Sequence, residues 1–224
     1  MIPLFHDFRD ESVLVVGGGS VGARKARRFA AEADVTVLSP EFGDREFGDA
    51  ALVQAAPSPD EAAEWVARVD PALVVAATDV AAVNAAFADA ARDAGALVNR
   101  ADSSARDSGE AERSVDDVVV PATTGEDPVT VAVSTGGRSP ALSKYLRERV
   151  DAEFAGAGEM AELTADLRAE LKASGTPPAE RRDAVRAVVR SEPVWKALRT
   201  GDANARKRAE AAVGRAVGDV EWST

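Results

Sequence analysis

The sequence of 224 residues contains no cysteine and a single histidine, His6. Without cysteine the chain has no disulfide, no thiolate nucleophile and no cysteine-ligated metal site. One histidine near the start of the chain is too few for a conventional histidine-based metal centre. We therefore predict no metal-binding residues.

Long apolar runs are also missing, and no stretch is long enough to cross a bilayer. The first residues, MIPLFHDFRDES, lack the charged and apolar regions of a signal peptide. We therefore expect a soluble, cytoplasmic protein with no membrane partner. The formal net charge of −11 argues against a nucleic acid partner, since nucleic acids are themselves polyanions.

Lysine is scarce, with 5 lysines against 22 arginines, and aromatic residues make up only 5% of the chain. An acidic, lysine-poor and alanine-rich composition is typical of proteins from salt-loving organisms, where concentrated salt screens the repulsion between surface carboxylates. A GC-rich genome raises arginine and alanine content without any physical selection. The composition leaves both interpretations open.

The most informative pattern present is residues 12–29, SVLVVGGGSVGARKARRF. A β-branched run, a glycine turn and a helical pattern follow one another, which is the order of a dinucleotide-binding Rossmann motif. There, Gly17 would permit the tight turn, and Gly19 would let the backbone approach a pyrophosphate. Gly22 would let the helix pack closely on the strand. The alternative is a glycine-rich turn in an α/β protein without a cofactor.

Strand and helix patterns alternate over about the first hundred residues. Further apolar segments predict strands at residues 34–38, 51–55, 71–77 and 96–99. Helical patterns lie at 59–69 and 79–94, the second with Asp79 as its N-cap. Parallel strands that are covered on both faces are continuously apolar. We therefore predict an α/β fold with an open, mostly parallel Rossmann-type sheet.

The pattern changes after residue 100, where a polar loop over residues 100–113 precedes two β-like segments. Residues 115–122 and 127–135 predict an antiparallel hairpin, because residues 123–126 are too short a connection for parallel pairing. The hairpin's apolar surface predicts a symmetric dimer. It is carried by Val118, Val119, Val120, Val129, Val131 and Val133. A helix with Ser139 as N-cap follows, and residues 159–217 show several further amphipathic helices.

At this point the chain resembles the precorrin-2 dehydrogenases of sirohaem synthesis. The resemblance covers about two-thirds of the chain. It is carried by IPLF (2–5), VLVVGGGSVGARKARRF (13–29), VTVLSP (35–40), VVAATD (74–79), LVNRAD (97–102), VPAT (120–123) and PVTVAVSTGGRSPALSKYLRERV (128–150). The last of these motifs is far more specific than the glycine turn.

The resemblance implies a homodimer of three-part subunits. Residues 1–113 would form a Rossmann NAD-binding domain, residues 114–146 a small β-rich dimerisation module, and residues 147–224 a C-terminal helical domain. It also implies the reaction, in which precorrin-2 loses two hydrogens to NAD⁺ and becomes sirohydrochlorin. Some members also insert Fe²⁺ and others do not, so ferrochelatase activity stays open.

Asp102 matches the family's functional aspartate, and the resemblance gives it the role of catalytic proton acceptor. A carboxylate in a partly buried cleft suits that role, because desolvation raises its pKa. The next residues, Ser103–Ala105, depart from the family's usual pattern, in which a second acid or a proline follows. The alternative is a loop-capping or solvent-facing aspartate.

The resemblance places pyrophosphate contacts at Ser20 and Val21 and adenosine-side contacts at Pro40 and Glu41. Thr78 lies where the fourth strand would open onto the cofactor, although it would equally well begin a helix. No arginine cluster adjoins Glu41, so a 2′-phosphate has no evident partner. NAD is therefore favoured over NADP.

Substrate contacts are expected at Asn99, Thr135, Arg138 and Lys144. Precorrin-2 carries several carboxylates, so an acidic protein needs cations to receive them. Asn99 would otherwise stabilise a turn, and the two cations would otherwise be solvated surface charges. Thr135 matches a serine that is phosphorylated in some members. A second hypothesis from another class is a non-catalytic NAD-sensing or tetrapyrrole-carrying module on the same fold.

Overall fold

The computed structural model of the chain describes residues 2–101, 115–136 and 138–218. The chain divides into two compact units, Met1–Val120 and Pro121–Thr224. The predicted three-part division, with boundaries after residues 113 and 146, stays a prediction. No helix in these described ranges is both long enough and apolar enough to cross a membrane.

The first unit is built on a parallel sheet with strand order β3-β2-β1-β4-β5. The strands are β1 (Ser12–Val16), β2 (Asp34–Ser39), β3 (Ala51–Gln54), β4 (Leu73–Ala76) and β5 (Leu97–Arg100). The helices are α1 (Ser20–Phe29), α2 (Ala62–Val69) and α3 (Ala81–Asp93), with a 3-10 turn at Pro59–Glu61. All four strand pairings are parallel, which confirms the predicted Rossmann-type sheet.

Side chains of the central strand β1 alternate between two apolar cores, one on each face of the sheet. Leu14 and Val16 share one core with Phe87 of α3. Val15 lies in the other core with Ala26 of α1. All five side chains are at most 1% exposed. Burial on both faces explains why the strand is continuously apolar, and each large side chain contributes about 1.5–3 kcal/mol.

The segment around Asp117 joins the edge of this sheet instead of forming the first half of the predicted hairpin. Val98 donates its N–H to the carbonyl of Asp116 at 2.9 Å, and Val118 donates its N–H to the carbonyl of Val98 at 2.8 Å. The prediction of a strand over residues 115–122 is therefore wrong. The open edge of β5 gives this segment backbone partners that a free hairpin would lack.

The second unit begins with a short antiparallel hairpin, β6 (Ala122–Thr124) paired with β7 (Val131–Val133). The antiparallel pairing is as predicted, but Thr123 and Thr124 lie in a strand and not in the turn. Five helices follow in the described residues of this unit. They are α4 (Pro140–Glu153), α5 (Ala157–Ala173), α6 (Pro178–Val189), α7 (Glu192–Arg199) and α8 (Ala205–Val217).

Helices α5 to α8 pack around one apolar core, in which Leu167, Leu171, Val188 and Val213 are fully buried. The start of α4 is as predicted, because the Ser139 hydroxyl accepts the N–H of Leu142. The hairpin is tied to the start of α5 by Glu126. Its carboxylate accepts the N–H of Gly156 at 2.9 Å and of Gly158 at 3.3 Å. A carboxylate at this end also complements the dipole of α5.

Candidate functional site

Strands β1 and β4 end side by side at the point where the strand order reverses, which is where open α/β sheets form a crevice. Ligands of open α/β sheets bind at such switch points. Gly17 leaves β1 with φ of +119°, and a Cβ there would lie 2.5 Å from the carbonyl oxygen of Ala77. At Gly22 a Cβ would lie only 1.9 Å from the carbonyl oxygen of Gly17. Both positions therefore require glycine, which holds α1 against the turn.

Gly19 differs from these two, because a Cβ at this position would meet nothing within 4 Å. It is the N-cap of α1, which has no side-chain cap and no acidic residue in its first turn. The backbone N–H groups of Ser20 and Val21 belong to that first turn, where helices bind phosphate groups. An open glycine beside an uncapped helix N-terminus fits a pyrophosphate.

The loop after β2 is held by hydrogen bonds to its own backbone. The hydroxyl of Ser39, which is 4% exposed, donates to the carbonyl of Glu41 at 2.6 Å. Gln54 donates from Nε2 to the carbonyl of Pro40 at 3.0 Å. Pro40 and Glu41 are exposed, and they follow the carboxyl end of β2, which is the end of the sheet where the glycine turn follows β1. The guanidinium of Arg45 donates to the carbonyl of Phe42 at 3.2 Å.

Thr78 lies at the end of β4 and is bound to the buried side chain of Asn84. The Thr78 N–H and hydroxyl donate to Asn84 Oδ1 at 3.0 and 2.7 Å, and Asn84 Nδ2 donates back to the Thr78 carbonyl at 2.9 Å. The predicted cap at Asp79 is wrong, since α3 begins at Ala81 with Val80 as its N-cap. The hydrogen bonds between Thr78 and Asn84 stabilise the turn before α3, where the sequence predicts a cap by Asp79.

Asn99 is 5% exposed and joins two parts of the first unit. Its Nδ2 donates to the carbonyl of Val118 at 2.7 Å, and its Oδ1 accepts from Lys25 Nζ at 2.6 Å. Burial, together with the neighbouring charges of Arg24 and Arg28, lowers the pKa of Lys25 to about 8. The sequence pattern indicates Asn99 but not its hydrogen bond with Lys25. The one feature of the sequence that could have indicated this bond is the single lysine in a helix whose other basic residues are arginines.

The predicted catalytic residue, Asp102, lies outside the described residues. The preceding residue, Ala101, donates its N–H to the carbonyl of Ala76 at 2.9 Å, so the chain is held to the end of β4 up to this point. The described ranges contain no cluster of three or more histidine, cysteine, aspartate or glutamate side chains that could hold a metal ion.

The three remaining predicted residues, Thr135, Arg138 and Lys144, belong to the second unit. The Thr135 hydroxyl donates to the carbonyl of Ser139 at 3.0 Å and accepts the Ser139 N–H at 3.2 Å, so it shapes the start of α4. Arg138 is exposed, and Lys144 lies 3.9 Å from Glu148 on the surface of α4. In the first unit, the predicted cofactor residues and Asn99 thus lie towards the carboxyl ends of the parallel strands.

Comparisons with known proteins match both units. The profile of an NAD(P)-binding family matches residues 4–110, and that of the central part of sirohaem biosynthesis proteins matches residues 126–153. The precorrin-2 dehydrogenase of Methanosarcina barkeri is 30% identical over 222 residues, which is 95% of this chain and 93% of that protein. The siroheme synthase of Pseudomonas entomophila is 33% identical over 181 residues.

Siroheme synthases are longer proteins: the chain covers 35% of the Pseudomonas enzyme and 41% of siroheme synthase 1 of Aeromonas salmonicida. Among solved structures, the precorrin-2 dehydrogenase SirC matches 96% of this chain and all of its own, with a TM-score of 0.62. At 18% sequence identity this likeness shows the fold.

We expect Gly22→Ala to destabilise the first unit, because its Cβ would overlap the carbonyl oxygen of Gly17 at 1.9 Å. Overpacking of this kind costs about 1–3 kcal/mol. Gly19→Ala is the matched control, since its Cβ meets open space and its φ of −70° suits alanine. Urea unfolding measures both, and equal stability of the two variants would contradict the close contact.

The low pKa of Lys25 predicts a pH-dependent stability. Between the native pKa of about 8 and the unfolded value of 10.5, the unfolded chain binds a proton that the native chain does not. The free energy of unfolding of the wild type should therefore rise with pH in this window relative to Lys25→Met. Urea unfolding at several pH values measures the difference, with Lys207→Met as the exposed control. A constant difference would refute the assignment.

Proposed function

The chain belongs to the precorrin-2 dehydrogenase family, and on that premise we propose that it oxidises precorrin-2 to sirohydrochlorin with NAD⁺. The observation that carries the proposal is the open crevice at Gly19, combined with a match over nearly the full length of the Methanosarcina enzyme. Because the chain covers only about a third of the Pseudomonas siroheme synthase, the further activities of those longer enzymes are not included.

The residues at the crevice fit NAD. The backbone N–H groups of Ser20 and Val21 would bind the pyrophosphate, and Gly19 leaves it room to approach. Pro40 and Glu41 would contact the adenosine side. Thr78 would face the cofactor from the end of β4, where a hydrogen bond to Asn84 fixes its position. When bound, the cofactor accepts a hydride from the substrate.

The reaction removes two hydrogens from precorrin-2, one as a hydride and one as a proton. Asp102 is proposed to accept the proton, as a carboxylate that lies two residues beyond the end of β5 in sequence. Asn99 is proposed to orient the substrate from the end of the same strand, with its side chain fixed by Lys25 and Val118. Thr135, Arg138 and Lys144 are proposed to contact substrate carboxylates.

A homodimer is also proposed, on the apolar surface of α4. No residue of α4 is buried within the chain. Its exposed apolar side chains include Leu142, Tyr145 and Leu146, which are 47%, 57% and 39% exposed. Their spacing puts them on one face of the helix, and an outward apolar face needs a covering partner. This surface replaces the valines of the predicted hairpin as the argument for a dimer.

We expect Leu142→Glu with Leu146→Glu to yield monomers, because carboxylates on this face oppose burial against a second copy. Sedimentation equilibrium in low and high salt measures the mass. Glu148→Lys, a charge change elsewhere on α4, is the control and should stay dimeric. A wild-type chain that sediments as a monomer at about micromolar concentration would contradict the proposed dimer.

Asp102→Asn should abolish the oxidation while leaving NAD⁺ affinity unchanged, because the amide keeps the size of the carboxylate but accepts no proton at neutral pH. Loss of a general base lowers rates by about 10²–10⁴-fold. The assay is anaerobic, with precorrin-2 and NAD⁺, and follows sirohydrochlorin and NADH absorbance together. Asp107→Asn, in the same polar segment, is the matched control and should turn over normally.

Gly19→Ala should show the opposite effect in the same assay: NAD⁺ binding should weaken, because the added methyl group occupies the space left for the pyrophosphate.

Wild-type turnover by Asp102→Asn would remove Asp102 from the proposal. Absence of both products with the folded wild-type chain would refute dehydrogenation and leave the non-catalytic NAD-binding hypothesis.

A further inference from the structure

A cleft lined by arginines lies on the surface of the second unit, between α5 and α6. Its volume is about 460 Å³. Five guanidinium groups line it, those of Arg168, Arg181, Arg182, Arg186 and Arg190. This concentration of positive charge stands out in a chain whose net charge is −11.

Most of this charge is not neutralised by the protein itself. Arg186 pairs with Asp183 at 3.0 Å, and Arg181 donates to the carbonyl of Thr176 at 2.9 Å. Across the described part of the chain, no ion pair within 4.0 Å joins Arg168, Arg182 or Arg190 to a carboxylate. These three guanidinium groups are therefore available to an anion from outside the chain.

The cleft also has an apolar component. Helix α6 buries Ala184 and Val188 in the core of the helical bundle. Val185 and Val189 lie on its other side and line the cleft, and Val189 is 42% exposed. Spacing of three and four residues along α6 places these valines among the arginines. The surface therefore offers apolar contact at its centre and cations around it.

This chemistry selects one class of ligand. Inorganic phosphate would use the cations and leave the valines exposed, and a nucleic acid would be repelled by the remaining acidic surface. A flat apolar frame that carries several carboxylates uses both components. Guanidinium groups bind carboxylates through paired hydrogen bonds, and the frame would cover the valines.

We propose that the cleft between α5 and α6 is a binding site for a polycarboxylate with a flat apolar frame. The choice of a tetrapyrrole as that ligand rests on the proposed function. The proposal that the cleft binds a polycarboxylate rests on the arginines and valines that line it. The ligand's carboxylates bind Arg168, Arg182 and Arg190, and one face of its frame lies on Val185 and Val189.

Trp195 provides a local reporter for binding. Its indole Nε1 donates to the carbonyl of Val189 at 2.7 Å, so it lies next to the cleft. A porphyrin bound there should quench the fluorescence of Trp195. In Trp195→Phe most of that quenching should disappear, while the anisotropy of the porphyrin still reports binding. Trp65 and Trp222 still fluoresce in this variant, so the comparison is with the wild type: an absolute loss of fluorescence as large as the wild-type loss would place the porphyrin elsewhere and overturn the proposal.

The test titrates uroporphyrin, a stable porphyrin octacarboxylate, into the full chain without NAD⁺. In the triple variant Arg168→Ala, Arg182→Ala and Arg190→Ala, the dissociation constant should rise at least about tenfold. The corresponding lysine triple variant keeps the charges and should bind with intermediate affinity. Arg215→Ala, an exposed arginine outside the cleft lining, should bind as the wild type does. If the alanine variant does not fold, Arg182→Glu with Arg190→Glu replaces it.

Unchanged uroporphyrin affinity in the folded triple variant would overturn the proposal. Displacement of uroporphyrin by citrate or phosphate at equal concentration would also overturn it, because the valines would then contribute nothing. Tighter binding of an acidic peptide at the same arginines would assign the cleft to a protein partner instead. The assay involves no turnover, so a chain that binds uroporphyrin but does not oxidise precorrin-2 would refute only the proposed function.

Discussion

The close approach of three backbone segments at the glycine turn is the constraint on which the first unit depends. The end of β1, the end of β4 and the first turn of α1 meet at distances that leave no room for a Cβ at Gly17 or Gly22. Because α1 is held this near the sheet, its N-terminus points into the crevice at the reversal of strand order. Gly19 is the exception that leaves this space open, so packing and ligand access are divided between neighbouring glycines.

The polar groups around the crevice are held by the protein itself before any ligand arrives. Ser39 holds the loop after β2, Asn84 holds Thr78, and Lys25 holds Asn99. Such internal bonds reduce the freedom that a ligand would otherwise have to restrict on binding. They carry a cost at Lys25, whose ammonium loses solvation in a partly buried position and whose pKa falls to about 8.

The parallel sheet and the glycine turn could be predicted because each follows from local patterns, an apolar run for a buried strand and glycines where a Cβ does not fit. The residues around Asp117 could not, since their pairing depends on the free edge of β5, which is distant in sequence. The cap at Asp79 failed because Asn84, six residues beyond Thr78, competes for the same turn. The pairing of Lys25 with Asn99 spans 74 positions, and no local pattern encodes it.

The two units present positive potential in different ways, and the difference matches the anions they would bind. A pyrophosphate is compact, so backbone N–H groups at the start of α1 reach it only if a glycine permits close approach. Carboxylates spread around a macrocycle lie far apart, and long guanidinium side chains on α6 reach them without a special backbone geometry. Binding a pyrophosphate therefore requires glycine at particular positions of the sequence. Binding the carboxylates of a macrocycle requires only a spacing of arginines along a helix, and in the sequence that spacing looks like ordinary surface charge. The structure shows more, because Arg168 of α5 lines the same cleft as the arginines that follow one another along α6.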